Sequence, residues 1–85
     1  MIIIPAPYFK KKVSKLPKYI KVKLASRIRL FWDNPKNPIL NNHRLHGKYD
    51  GYRSINITGD YRVIYEEVGN NTIRLIDIGT HSELY

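Results

Sequence analysis

The sequence predicts an α+β fold in which a small antiparallel sheet carries an N-terminal helical hairpin packed on one face, in the order β-α-α-β-β-β. Apolar residues recur with a helical period in the N-terminal part. The stretch GYRSINITGDYRVIY (51–65) alternates apolar and polar residues around a TGD turn (58–60), and a second turn, GNN (69–71), precedes a last apolar strand. At 85 residues the chain should form a single domain, residues 1–85.

The N-terminal part contains one strand and two helices. The β-branched residues 2–4 predict an edge strand, which Pro5 and Pro7 end while favouring a helix start. The first helix is predicted over 8–16 and the second over 18–33, with Pro17 between them. Their apolar stripes should cover one face of the sheet and consist of Phe9, Val13 and Leu16 in the first helix and Ile20, Leu24, Ile28 and Phe31 in the second.

The C-terminal part contains three strands, predicted over 52–57, 61–67 and 72–78. Residues 39–51 are polar and predict a surface crossing without regular structure. In the first of the three strands, Ile55 and Ile57 share a face with Arg53 and should pack under the helices. The other face, which we predict to be polar, open and suited to binding, carries Tyr52, Ser54 and Asn56.

Composition and charge restrict the function. The chain has no cysteine, which excludes disulfides and thiolate metal sites and favours a cytoplasmic location. The apolar run at residues 1–4 is too short for a signal peptide or a membrane span, so we expect no membrane association. The net charge is +8, and residues 1–42 hold ten Lys and Arg against one acid. This asymmetry predicts a polyanionic partner, although a solvated lysine face is the simpler alternative.

Two segments carry recognisable motifs. HRLHGKYDGYRSINITGDYRVIYE (43–66) contains a leucine-x-glycine before the strand, the GYR opening and the DYRVIY strand, and IDIGTHSELY (76–85) contains IGTH. In these motifs the chain resembles the RelE/YafQ-type toxins of type II toxin–antitoxin systems, members of the RelE/ParE superfamily. The likeness covers nearly the whole chain, but the helical hairpin is similar only in pattern. The resemblance implies a RelE-like fold and an mRNA interferase, an endoribonuclease that inhibits translation, in most members on the ribosome.

The resemblance also implies site residues. The YafQ branch uses a histidine opening HxLxG, an aspartate at the hairpin turn, the histidine after IGT and a C-terminal aromatic residue, which match His43, Asp60, His81 and Tyr85. A further histidine of that branch, on the first hairpin strand, is replaced here by Asn56, which cannot transfer a proton. In the RelE branch an arginine after the hairpin and a C-terminal tyrosine take part, and they match Arg62 and Tyr85.

Metal-independent RNA cleavage needs a base for the 2′-OH, an acid for the leaving 5′-oxygen and cations for the phosphate. Histidine suits either proton-transfer role near neutral pH. We expect His81 to act as acid or base with His43 or Asp60 as its counterpart, without a cofactor. Arg62 would stabilise phosphate charge, and Tyr85 would stack on a base or orient the phosphate. The predicted RNA-binding residues are Asn56, His46, Arg53, Lys48, Lys10, Lys11 and Lys12.

These residues also have plainer interpretations. Asp60 is typical of a turn, and Arg62 would pair with Glu66 or Asp77. Tyr85 would seal the core. The ligand types of a metal site are present in His43, His46, His81 and Asp60, but their spacing matches no known metal motif.

Two other functions stay open on the sequence. One is a non-nuclease, ParE-like toxin that poisons DNA gyrase, and the other is a weakly catalytic member that acts mainly in an antitoxin-containing operator-binding complex. A general RNA-binding module is disfavoured because the strands lack the aromatic pattern of known single-strand binders. The expected partners are a cognate antitoxin with an acidic, helical segment, mRNA on the ribosome, and operator DNA only through the antitoxin complex.

Overall fold

The computed structural model describes all 85 residues and contains a five-stranded mixed sheet. The strands are β1 (Ile2–Pro5), β2 (His43–Arg44), β3 (Arg53–Asn56), β4 (Tyr61–Gly69) and β5 (Thr72–Thr80), and the helices are α1 (Pro7–Ser14), α2 (Lys18–Asp33) and α3 (His81–Leu84). The spatial order is β1-β5-β4-β3-β2. Neighbouring strands are antiparallel except β1 and β5, which are parallel. The predicted α+β class and the edge position of β1 are confirmed.

Prolines define where the two N-terminal helices begin. Pro7 is the first residue of α1, and Pro17 immediately precedes α2, positions where the missing N–H costs little. The apolar stripes pack as predicted, and Phe31 meets Tyr65 of β4 edge-on with ring centroids 5.0 Å apart. We call this side of the sheet the helix face, and its main core contains Phe9, Leu24, Phe31, Leu40, Ile55, Ile57, Val63, Tyr65, Ile73, Leu75 and Ile78.

The crossing, the segment between α2 and β3, is more regular than predicted. It contains two single-turn 3-10 helices, Pro38–Leu40 and Gly47–Tyr49, and the strand β2, whose His43 pairs with Ser54 of β3. Gly47 has a positive φ of +69°, which glycine adopts without steric cost. The prediction of irregular structure was wrong because a strand of two polar residues offers no alternation to detect.

The C-terminus forms a helix that we did not predict. β5 extends to Thr80 and α3 follows at once. The Thr80 hydroxyl accepts from the Glu83 backbone N–H at 3.3 Å, and the Glu83 carboxylate accepts from the Thr80 N–H at 2.7 Å. This reciprocal capping box starts α3 and determines where His81 lies.

The opposite side of the sheet, which we call the site face, is only partly open. Leu45, Ile64 and Leu84 form a second buried cluster there, and Tyr49, Tyr52 and Ile76 pack against it. The Ser54 side chain is completely buried. The prediction of an open polar face was therefore wrong at the centre of the sheet, because the crossing and α3 contribute apolar side chains that cover it.

A bulge in β5 brings an acidic residue toward the site face. Ile64 pairs with Asp77 and the next residue, Tyr65, pairs with Leu75, so Ile76 is an extra residue. Pairing between β1 and β5 stops at Leu75. Beyond that point α1 lies beside β5 in place of a strand. None of the helices has the length and apolar character needed to cross a membrane.

Candidate active site

His81 and Asp60 meet where the β3–β4 turn reaches the start of α3. The backbone N–H of His81 donates to the carbonyl oxygen of Asp60 at 3.0 Å. The Thr58 hydroxyl stabilises the turn by accepting from the N–H groups of Asp60 at 3.2 Å and Tyr61 at 3.0 Å. Both predicted side chains are exposed. The fold therefore holds two residues that are distant in sequence side by side at the surface.

Four rings form a continuous surface that we call the aromatic row. His81 and Tyr85 have centroids 4.9 Å apart. Tyr85 meets Tyr49 edge-on at 6.0 Å, and Tyr49 meets Tyr52 at 6.4 Å. Tyr49 and Tyr52 rest on the buried cluster of the site face, which gives the row a rigid base. Tyr85 keeps 48% of its surface exposed, so it does not seal the core.

Arg62 holds the hairpin turn. Its guanidinium donates to the backbone carbonyls of residues 58, 59 and 61 at 3.0 to 3.2 Å. The alternative that it pairs with Glu66 or Asp77 is wrong, since those carboxylates pair with other cations. Three carbonyl contacts leave Arg62 fewer free donors for a phosphate than the sequence suggested.

Asn56 and Ser54 present buried oxygen atoms on the site face. Asn56 pairs across the sheet with Arg62, and Ser54 pairs with His43. Asn56 Oδ1 and Ser54 Oγ are buried without a hydrogen-bond partner. An unpaired buried polar group costs about 1–3 kcal/mol. The packing does not account for two of them on one strand, beside two predicted site residues.

His43 lies on β2, which is separated from β5 by β4 and β3. Its ring is exposed, and Nδ1 is 2.7 Å from the carbonyl oxygen of Asn41. Because a carbonyl can only accept, this contact assigns the proton of the neutral ring to Nδ1 and leaves the lone pair on Nε2. This tautomer suits a general base.

The other predicted RNA contacts are spread over the surface. Lys48 lies over the Tyr49 ring, with Nζ 5.1 Å from the centroid. His46 is exposed just before the Gly47–Tyr49 turn, and Lys10 and Lys11 are exposed on α1. None of these last three has a side-chain hydrogen bond within the protein, so they remain predicted surface contacts for RNA.

Arg53 lies on the helix face, away from the aromatic row. Its Nε donates to Asn42 Oδ1 at 3.0 Å, and the Tyr65 hydroxyl donates to the same oxygen at 3.0 Å. Burial raises the pKa of Tyr65, so this hydroxyl stays protonated. Arg53 and Tyr65 line a cavity of about 790 Å³ beside the end of α2. The structure therefore does not bring Arg53 to the candidate site.

Sequence reasoning missed a Lys12–Asp77 ion pair and the role of Tyr49. Lys12 Nζ lies 2.6 Å from Asp77 Oδ1, and the two side chains are 28% and 16% exposed. Burial and the charge of Asp77 raise the pKa of Tyr49, while Lys12 opposes that change. Tyr52 could be assigned to the site face from strand alternation, but nothing local links Lys12 to Asp77 or Tyr49 to Tyr85.

Metal ligands do not assemble in this fold. No three His, Asp or Glu side chains come together in an arrangement that could hold a metal ion. His43 lies on β2 and His81 begins α3, and of the four candidate ligands only Asp60 and His81 are adjacent. The groups that the fold brings together at the candidate site are His81, Asp60 and the aromatic row.

Several solved structures with this fold are toxins. The chain is 25% identical to YafQ from E. coli strain BL21(DE3), with a TM-score of 0.81 and coverage of 98% of this chain and 96% of that one. It is also 25% identical to a chain of the E. coli DinJ–YafQ toxin–antitoxin complex, with a TM-score of 0.77 and coverage of 98% and 94%. A YoeB/ParE toxin from Agrobacterium tumefaciens shares the fold at 20% identity, with a TM-score of 0.77 and coverage of 95% and 99%.

These matches show that the chain has the fold of the YafQ and YoeB/ParE toxins. The family model for the bacterial toxin of the type II toxin–antitoxin system, YafQ, matches residues 3–85. The chain therefore belongs to the YafQ family of type II toxins, and the resemblance inferred from its motifs is confirmed. Curated protein sequences provide no match.

Proposed function

We propose that this toxin is an endoribonuclease that cuts mRNA on the translating ribosome and so inhibits translation. The observation that carries the proposal is the continuous surface formed by the exposed His81, Asp60 and Tyr85 and the half-buried Tyr49. Single-stranded RNA is bound largely through bases stacked on aromatic rings, and its cleavage needs a proton-transfer group beside the bound phosphate. The aromatic row supplies the rings and His81 supplies the group.

The proposed reaction is transfer of the phosphate to the neighbouring 2′-oxygen. A base removes the 2′-OH proton, the bond between the 2′-oxygen and phosphorus forms, and the bond from phosphorus to the 5′-oxygen breaks. An acid protonates the departing 5′-oxygen, which leaves a 2′,3′-cyclic phosphate and a 5′-OH. His81 fills one proton-transfer role. His43 or Asp60 fills the other, supported by the free Nε2 of His43 and by the position of Asp60 beside His81.

At position 56 a hydrogen-bonding amide, that of Asn56, stands where the YafQ branch has a proton-transferring histidine. Asn56 pairs with Arg62 of β4 across the sheet, and its Oδ1 is buried without a hydrogen-bond partner. We assign it to orienting the substrate, because an amide can donate and accept hydrogen bonds but cannot exchange a proton at neutral pH.

The proposed partner is a cognate antitoxin with an acidic helical segment. The E. coli YafQ match occurs in a complex with DinJ, and a Staphylococcus aureus YoeB match occurs in a complex with YefM. Here the basic residues concentrate in α1, α2 and the loop after α2, which supports attraction of an acidic segment to that side. Operator DNA would be bound only through the antitoxin complex.

The test is primer extension on a defined mRNA incubated with purified protein, with and without translating ribosomes. Wild type is compared with His81→Ala and with Ser82→Ala, which alters the next exposed residue of α3 without removing a proton-transfer group. We expect ribosome-dependent cleavage by the wild type. The cleavage rate should fall about 100-fold in His81→Ala and stay at the wild-type level in Ser82→Ala. The variants His43→Gln and Asp60→Asn then show which residue is the second proton-transfer group. The variant that lacks this group should lose one limb of the pH–rate profile.

Two outcomes contradict the proposal. If wild type cuts no RNA under either condition while remaining toxic in cells, a ParE-like action on DNA gyrase becomes the better explanation. If it cuts no RNA, is not toxic and shifts operator DNA together with its antitoxin, the protein acts as part of a repressor. Cleavage unchanged in His81→Ala removes His81 from the mechanism.

A further inference from the structure

The proposed reaction needs a cation, and three of the predicted cations, Arg62, Arg53 and Lys48, do not supply it well. Negative charge increases on the phosphate as the 2′-oxygen attacks, and a fixed positive group beside it is usually among the largest catalytic contributions. Arg62 donates to three turn carbonyls, and Arg53 lies on the helix face. Lys48 is exposed and is held only by its position over the Tyr49 ring.

Lys12 is the cation that the fold holds in place near the aromatic row. The chain leaves the sheet after β1, and α1 flanks the part of β5 that β1 does not pair with. From α1 the Lys12 side chain reaches Asp77, which lies opposite Ile64. Ile64 belongs to the buried cluster on which Tyr49 packs, so the ion pair borders the base of the row.

The geometry leaves Lys12 able to bind a second anion. An ammonium group has three donors, and Lys12 Nζ donates to Asp77 Oδ1, at 2.6 Å. Nζ also lies 5.6 Å from the Tyr8 ring centroid, which favours the cation from a second side. With 28% of its side chain exposed, Lys12 can still reach solvent and a bound phosphate.

The charge on Lys12 is permanent at physiological pH. Burial alone would lower its pKa, but the hydrogen bond and charge of Asp77 outweigh burial and raise the pKa above its ordinary value of 10.5. The positive charge in turn helps to lower the pKa of Glu83 in α3, after the larger effect of the Thr80 hydrogen bonds. Lys12 therefore acts on α3 as a fixed positive charge and is not a general base.

We propose that Lys12, held by Asp77, is the catalytic cation of this site and contacts the phosphate at the cleaved bond, with Asp77 as its positioning residue. This inference rests on the proposed nuclease function. It assigns a substrate contact to α1, an element outside the motifs that carry the family resemblance.

The competing explanation is that the ion pair only joins α1 to β5. Breaking one side of a partly buried pair leaves the other charge unpaired and destabilises the fold, so a single substitution does not separate the two explanations. The double variant Lys12→Met/Asp77→Asn removes both charges and leaves no unpaired carboxylate. If the pair is only a structural link, the double variant regains both stability and cleavage.

The experiment measures single-turnover cleavage of ribosome-bound mRNA, its dependence on salt, and thermal unfolding for each variant. We expect Lys12→Met and the double variant to cleave about 100-fold more slowly, although the double variant unfolds near the wild-type temperature. Lys12→Arg, which keeps the charge, should recover most of the rate. The slope of log rate against log salt should fall by about one unit when the phosphate contact is lost. The cleavage rate of Asp77→Asn should fall less than that of Lys12→Met, because the Lys12 cation remains but is less well oriented.

Lys15→Met is the matched control, because Lys15 is exposed at the end of the same helix and carries the same charge. It should leave the rate at the wild-type level. Wild-type cleavage that persists in the folded double variant overturns this inference and leaves the nuclease function intact. A larger loss in Lys48→Met than in Lys12→Met also overturns it. Absence of cleavage by the wild type contradicts the nuclease function itself, so the two failures are distinguishable.

Discussion

The two faces of the sheet differ in how completely their side chains are satisfied. The helix face holds a cluster of eleven buried apolar residues, and its polar network is paired, since Asn42 Oδ1 accepts from both Arg53 and Tyr65. The site face holds a cluster of three, two unpartnered buried oxygens and a row of partly exposed rings. Most of the folding free energy therefore comes from one face, and the candidate chemistry lies on the other.

This division shows how an 85-residue chain accommodates a polar site. Small domains bury little apolar surface and tolerate few unsatisfied groups. Here the site face depends for its cover on Leu84 of α3 and Leu45 of the crossing, and neither side chain belongs to the main core. Substitutions on the two faces should consequently have different effects on stability and cleavage.

The largest effect should come from the helix face. Phe31→Ala removes a ring that is 1% exposed and packs on Tyr65, which should lower the free energy of unfolding by about 3–5 kcal/mol. A domain of this length has about 4–13 kcal/mol in total, so the variant should lose a large part of its stability. Urea denaturation measures the change. The neighbouring Trp32→Ala, at a side chain 54% exposed, should cost about 1 kcal/mol or less.

An intermediate effect should come from the site-face cluster. Leu84→Ala should cost about 2 kcal/mol, the low end for a buried leucine, because α3 has only four residues and relaxes easily. Loss of its anchor should displace His81 and Tyr85 and lower cleavage about 10-fold or more well below the unfolding temperature. Leu24→Ala on the helix face is the control, expected to lose stability but keep its rate while folded. Equal rates in the two folded variants would show that the faces are not separable.

The smallest effect should be a pH dependence of α3. Hydrogen bonds from Thr80 lower the pKa of Glu83 below its ordinary value of 4.5. Because the folded-state pKa is depressed, this stabilisation is complete above pH 4.5 and is lost as the pH falls through the folded value. NMR of the α3 amides between pH 2 and 6 should show the helix loosening in wild type, and Glu83→Gln should remove the dependence on pH in that window. An identical titration in the variant would exclude Glu83 as its cause.

Much of the helix face was predictable, because hydrophobic periodicity indicates which helix positions are buried and prolines indicate where the helices begin. Phe9, Leu24 and Phe31 are buried as their spacing predicted, and Pro7 and Pro17 start the helices where expected. α3 was also detectable in principle, since T-H-S-E at 80–83 is a capping-box sequence, but four residues are too few for a helical period. β2 had no comparable signal.

The candidate site was predictable only in its residues. Motif resemblance identified His43, Asp60, His81 and Tyr85 as candidates, whereas their arrangement needed the tertiary structure. Three features of the site join distant parts of the chain. Leu45 and Leu84 cover β3, a bulge brings Asp77 toward the site face, and Lys12 reaches Asp77 from α1.

The amino-acid sequence alone was sufficient to predict the α+β class, the helical hairpin and the antiparallel strands β3 to β5, and to recognise the YafQ-type motifs. These depend on local dihedral preferences and on hydrophobic periods that are short compared with the chain. Tertiary structure alone decided which face is closed, which cation is fixed and which rings touch. Such contacts form between residues with no regular sequence separation, and their free energy depends on burial and on a partner's position, so no local pattern encodes them.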